Sequence, residues 1–126
     1  MAITTPTDKT VFRPLTGAIT RRFTVGATAI TGGMVVSLGS AGLVATDGNS
    51  GVLKPIGIAL KSAAAGERVD VVVFGPVNGY TGCTIGDYIG ADNTTIGLAL
   101  EVTTAKYAVG QAESATAVFV NPGYIA

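Results

Sequence analysis

Residues 55 to 75 read P-I-G-I-A-L-K-S-A-A-A-G-E-R-V-D-V-V-V-F-G, two apolar runs joined by a stretch of small residues. Ile56, Ile58 and Leu60 alternate with Gly57 and Ala59, and Val69 to Phe74 resumes the apolar run with β-branched side chains that favour a pleated surface. Between them, Ala63 to Glu67 supports at most one helical turn before Gly66 weakens it. The segment therefore predicts a hairpin-like pair of strands around a small-residue turn.

The same grammar extends over most of the chain. From Ile19 onward, short strand-like pieces are punctuated by glycine: Ile19 to Val25, Met34 to Leu38, Gly42 to Ala45, Ile56 to Leu60, Val69 to Phe74, Asp87 to Ile89, Ile96 to Val102 and Ala117 to Val120. Between them T-G-G, T-D-G-N-S-G, N-G and D-N-T-T supply residues suited to turns. Helix has room only at Ser62 to Arg68 and at Thr103 to Tyr107. About eight short strands in 126 residues with 18 glycines and no tryptophan predict an all-β fold, a small single-domain barrel or sandwich. A shift of 53 positions lays I-T-G-G-M-V-V at 30 to 36 on C-T-I-G-D-Y-I at 83 to 89, and I-G-I-A at 56 to 59 on V-G-Q-A at 109 to 112. The identities are few for so Gly- and Ala-rich a chain, but each half runs turn, strand, turn, strand and x-G-x-A in the same order, as an internal duplication would.

Residues 1 to 18 differ from the rest. They lack sustained periodicity, are rich in Thr, and contain Pro6 and Pro14, which push Thr5 and Arg13 towards extended geometry. An extended N-terminal arm is expected here, followed by a β-rich body from 19 to 126. Ile3, Val11, Phe12 and Leu15 have no place in the arm itself and are read as anchors on a neighbouring molecule. Lys9, Arg13, Arg21 and Arg22 against Asp8 alone give the first 22 residues a net charge of +3, offset by −3 over the remainder. This basic end suits an acidic protein surface, or a solvated tail, but is too sparse for a nucleic-acid patch.

Chemistry is hard to build from these residues. Without histidine, the usual general base, the Ser-His-Asp and Cys-His arrangements and imidazole metal sites are all missing. The carboxylates lie mostly in or beside turns. D-G-N-S-G at 47 to 51 lacks the further acids of a calcium loop, and G-A-T-A-I-T-G-G at 26 to 33 lacks the ending of a phosphate loop. Cys83 is the single cysteine, so neither an intramolecular disulfide nor a multi-cysteine metal site can form. The expectation is a non-enzyme without catalytic residues, cofactor or metal, with no nucleic-acid partner and no membrane span. Phe12 beside Arg13, and Phe23 beside Arg21 and Arg22, are either contact anchors or, for Phe23, the inward residue of the first strand. With a formal net charge of zero and 48% hydrophobic residues, self-association is expected.

T-G-G-M-V-V-S-L, then G-L-V-A-T-D, then K-P-I-G-I-A-L-K-S-A-A-A-G-E-R-V-D-V-V-V-F-G resembles the small capsid decoration, or cement, proteins of tailed bacteriophages. The likeness covers Ile30 to Ile89, the C-terminal third loosely and the arm hardly at all. Met34 stands after Gly33 where the family commonly has Asp; the second half supplies Gly86-Asp87 instead. The resemblance implies a compact β-tulip-like fold on the outer surface of an assembled head, made in the host cytoplasm. It also implies homotrimers and an arm reaching over the major capsid protein. Ile3, Val11, Phe12, Arg13, Pro14, Leu15, Arg21 and Arg22 would then form the capsid contact. A head-fibre or tail-tube subunit, or an adhesive carbohydrate-binding module, is the alternative, the last disfavoured by the lack of tryptophan.

Overall fold

The computed structural model describes residues 12–46, 54–92, 97, 99–102 and 106–125. They form ten strands: β1 Arg13–Pro14, β2 Ile19–Thr24, β3 Val35–Gly39, β4 Gly42–Ala45, β5 Pro55–Ala59, β6 Arg68–Asn78, β7 Tyr88–Ala91, β8 Ala99–Val102, β9 Lys106–Ala112 and β10 Ala117–Ile125. All pairings between them are antiparallel, and no helix occurs among the described residues. The fold is all-β, a curled sheet of the small barrel or sandwich kind.

The hairpin formed by β5 and β6 is present, with Ile58 opposite Val72 and Ala59 opposite Val71. Its connection is not helical. Ile30 and Ala63 exchange both backbone hydrogen bonds at 2.9 Å, Gly66 takes a positive φ of 84°, and the Glu67 carboxylate accepts from the Ala64 N–H at 2.7 Å. With the Gly66 N–H donating to Val25 O at 2.9 Å and the Glu67 N–H to Ala64 O at 3.0 Å, these bonds hold the segment as a turn without a helical ladder.

Two strands run past their expected ends. β6 continues beyond Phe74 because Gly75, at φ 102°, bends the strand instead of ending it. A Cβ there would lie 2.7 Å from the Ala18 Cα, so the bend depends on glycine. β10 passes through Pro122 to Ile125 by way of a bulge between Val120 and Gly123. Residues 106 and 107, the end of the short helix expected at Thr103 to Tyr107, open β9 instead.

The sheet order is β4-β3-β5-β6-β10-β9-β7-β8. Read from either end it is the same order, with β3 to β6 replaced by β7 to β10. The registers repeat as well. Val35 faces Ile58 and Val36 faces Gly57 across β3 and β5; Tyr88 faces Gln111 and Ile89 faces Gly110 across β7 and β9, each 53 positions on. Three backbone bonds follow the same shift: Gly33 N–H to Ala59 O and Gly86 N–H to Ala112 O, both 2.8 Å; Ala59 N–H to Met34 O and Ala112 N–H to Asp87 O; Met34 N–H to Thr31 O and Asp87 N–H to Thr84 O. Gly33 and Gly86 share a positive φ of 87° and 90°. The chain is thus two copies of one structural unit, the first spanning β3 to β6 and the second β7 to β10.

β6 ties the units together. Its first half lies between β5 and β2 and its second half between β10 and β1. One buried cluster joins Val35, Ile58 and Val72 of the first unit to Ile89, Ala91, Val109, Val118 and Val120 of the second. A smaller one, including Ile30, Val36, Leu43, Ala59 and Val71, lies within the first unit.

Gly57 and Gly110 hold the same place in the two units. A Cβ on Gly57 would collide with the Val72 carbonyl oxygen, and one on Gly110 with the Phe119 carbonyl oxygen. Both neighbours are strand backbone and cannot rotate away. Gly57→Ala and Gly110→Ala are each expected to lower unfolding free energy by roughly 2 kcal/mol or more. Gly123→Ala, with open space around the added methyl, should stay within about 0.5 kcal/mol of the parent in urea denaturation.

Candidate interaction surface

Of the residues expected to contact a partner, Ile3 and Val11 lie outside the described residues. Phe12 is buried. Its ring packs on Tyr80, centroids 4.6 Å apart and tilted by 56°, and its N–H donates to Leu60 O at 2.9 Å. Phe12 is therefore a core residue and not an anchor on a neighbour, which corrects that expectation. Gly79 makes the space, since a Cβ there would strike the Phe12 ring. Arg13 and Pro14 pair with Asn78 and Val77, and the Leu15 N–H bonds Pro76 O at 3.0 Å, so the segment from Phe12 onward is fixed to the sheet although Arg13, Pro14 and Leu15 keep exposed side chains.

Arg21 and Arg22 point to opposite faces of β2, as neighbours on a strand must. Arg22 pairs with Asp70 inside the chain at 2.9 Å. The hydrogen bond and charge of Asp70 raise the guanidinium pKa, and the bond from Arg22 lowers the carboxyl of Asp70 against the opposing effect of burial. A lowered carboxylate stabilises the fold above its unfolded pKa and loses that contribution as pH falls through the folded value. Both side chains are well exposed to water, so the effect is small. Arg21 instead lies over the Phe23 ring, 5.5 Å from its centroid.

That pair lines a shallow groove of about 340 Å³ with Leu38, Ile56, Val73 and Pro122. Pro55 and Pro122 also border a neighbouring hollow of about 280 Å³ that carries Lys54, Tyr107 and Gly123. There Lys54 sits over the Tyr107 ring, 5.8 Å away. The groove is mainly apolar, a cation lies over an aromatic ring in each half, and among the described residues no carboxylate lines either part.

A second apolar surface lies on the other unit. Register places Phe119, Gln111 and Tyr88 in one cross-strand row. Tyr88 is 43% exposed, Gln111 is exposed, and Phe119 meets the exposed Phe74 edge-on with centroids 5.3 Å apart. Sequence reasoning named none of Leu38, Phe74, Tyr88 and Phe119 as contact residues. The available signal was the 53-residue shift, which places Tyr88 where the first half has Val35.

Three polar side chains serve the interior. The buried Tyr80 hydroxyl donates to Gly33 O at 2.6 Å; burial pushes the phenol far above its ordinary pKa, with a further contribution from Cys83. Ser37 and Thr46 share a buried hydrogen bond at 2.6 Å. Among the described residues no three His, Cys, Asp or Glu side chains gather as a metal site, and no helix is long and apolar enough to cross a membrane. Compared with known proteins, the chain matches no family, no curated protein and no solved structure.

The Tyr80 hydroxyl ties the segment between the two units to Gly33 in the turn that precedes β3. Tyr80→Phe would leave that buried carbonyl without this donor, and is expected to cost about 1–3 kcal/mol in urea unfolding with an unchanged slope. A loss below the error of the measurement would mean that the carbonyl finds another partner.

Proposed function

We propose that the protein is a structural component of a tailed-phage virion, bound to the outer surface of the assembled head, where it stabilises the shell by bridging neighbouring major capsid subunits. The observation that carries this reading is the Pro55–Gly75 hairpin. The segment with the strongest resemblance to decoration proteins supplies two neighbouring strands of the sheet, and the unit it belongs to occurs twice. A protein of this kind works through shape and repeated weak contact, which suits a fold whose exposed features are apolar rows and cations.

Phe12 sets how the arm would act. Buried against Tyr80, it roots the preceding eleven residues to the body, so that force on the arm passes into the sheet. Ile3 and Val11 are the apolar residues available to bury against the shell, offsetting the entropy lost when an arm orders on docking. Arg13, exposed at the base of the arm, adds a charge that can pair with shell carboxylates and set register. Each contact is weak, but contacts linked in one molecule raise each other's effective concentration.

Binding of the purified protein to expanded, undecorated phage heads tests this reading. Intact protein is expected to bind and to raise the temperature at which heads disrupt, and a form lacking residues 1 to 11 to bind at least about tenfold more weakly. That truncation keeps Phe12 and the folded body. Absence of binding to heads would overturn the reading; equal binding by the truncated form would remove the arm from it.

A further inference from the structure

The two units use their faces unequally. On the first, Val72, Ile58 and Val35 form a cross-strand row with no solvent exposure, sharing one cluster with Ala91, Val109 and Val120 of the second unit. Phe119, Gln111 and Tyr88 are the same row on the second unit, with Tyr88 and Gln111 exposed and Phe119 half-buried against Phe74. Conversely, the first-unit counterparts of Ala91, Val109 and Val120 are Leu38, Ile56 and Val73, which line the open groove, with Leu38 52% exposed. Each chain thus makes one row-to-face contact inside itself and leaves the matching halves of another on its surface.

We propose that the row on the second unit of one copy docks into the groove on the first unit of another, repeating between chains the packing that joins the units within one. The occupant is a second copy because the two open faces are the counterparts of faces that already fit. Phe119 and Tyr88, standing where the internal contact has Val72 and Val35, bring the extra volume that a groove of about 340 Å³ requires. Charge is complementary: Arg21 lines the groove and Lys54 the hollow beside it, whereas Asp87 adjoins Tyr88 and Glu113 lies two residues beyond Gln111, both exposed. The contact joins different surfaces, so it runs head to tail and builds a closed ring where the rotation allows. It needs no capsid, and stands or falls apart from head binding.

Sedimentation velocity on the full chain tests it. Wild-type protein should sediment as an oligomer. Leu38→Asp, which spoils the groove, and Tyr88→Asp, which spoils the row, should each raise the dissociation constant at least about tenfold. Ala65→Asp, in the exposed turn between β5 and β6 and lining neither the groove nor the row, should change nothing. An equimolar mixture of L38D and Y88D should form dimers and nothing larger, since each keeps the half the other lacks. Circular dichroism reports folding of each variant, and Leu38→Ser and Tyr88→Ser replace any that lose strand signal. Monomeric wild-type protein up to its solubility limit overturns the proposal, as do variants that assemble like wild type or a mixture that stays monomeric.

Discussion

β6 is hydrogen-bonded along both edges over much of its length, and it changes partners part-way. Up to Phe74 it serves the first unit, with β5 and β2; from Gly75 it serves the second, with β10 and β1. The change needs a bend at one residue, and Gly75 supplies it with a backbone that other residues rarely adopt. Because the strand is continuous, neither unit can lose it without stripping partners from the other. The burial of Val35, Ile58 and Val72 against the second unit follows from that arrangement.

The hairpin, the all-β class and most strand positions were legible in the sequence because β-branched runs bounded by glycine are a local signal. What escaped depends on distant partners. β9, K-Y-A-V-G-Q-A, holds alanine and glycine where a strand usually has bulk; it is extended because β7 and β10 flank it. Gly110 is required there by the neighbouring backbone, so the residue that weakens the local signal is the one the packing demands. Phe12 looked like part of an arm because its pocket is made by Gly79 and Tyr80, nearly seventy positions away. The duplication was faint in the residues and plain in the hydrogen bonds, since Val35 and Tyr88 hold the same register while facing different surroundings.

That last difference connects the fold to the proposed role. Two equivalent units packed back to front cannot both be covered: one row and one face are left over at the ends. In this chain the leftover row carries aromatic side chains and the leftover face is bordered by cations, residues suited to burial between proteins. Self-association and attachment to a shell would then use different parts of the molecule, the sheet faces for the first and the basic end for the second. In the proposed role, such an arrangement would resist disruption because removing one copy breaks several shallow contacts together.

Amide hydrogen exchange of the full chain measures most directly whether β6 makes the two units a single cooperative structure. If it does, amides of β6 exchange only through global unfolding, and the protected amides of β3 and β5 share one opening free energy with those of β7 and β9. Exchange of β3 and β5 through an opening that leaves β7, β9 and β10 protected would contradict it, showing two units that fold separately and merely share a strand.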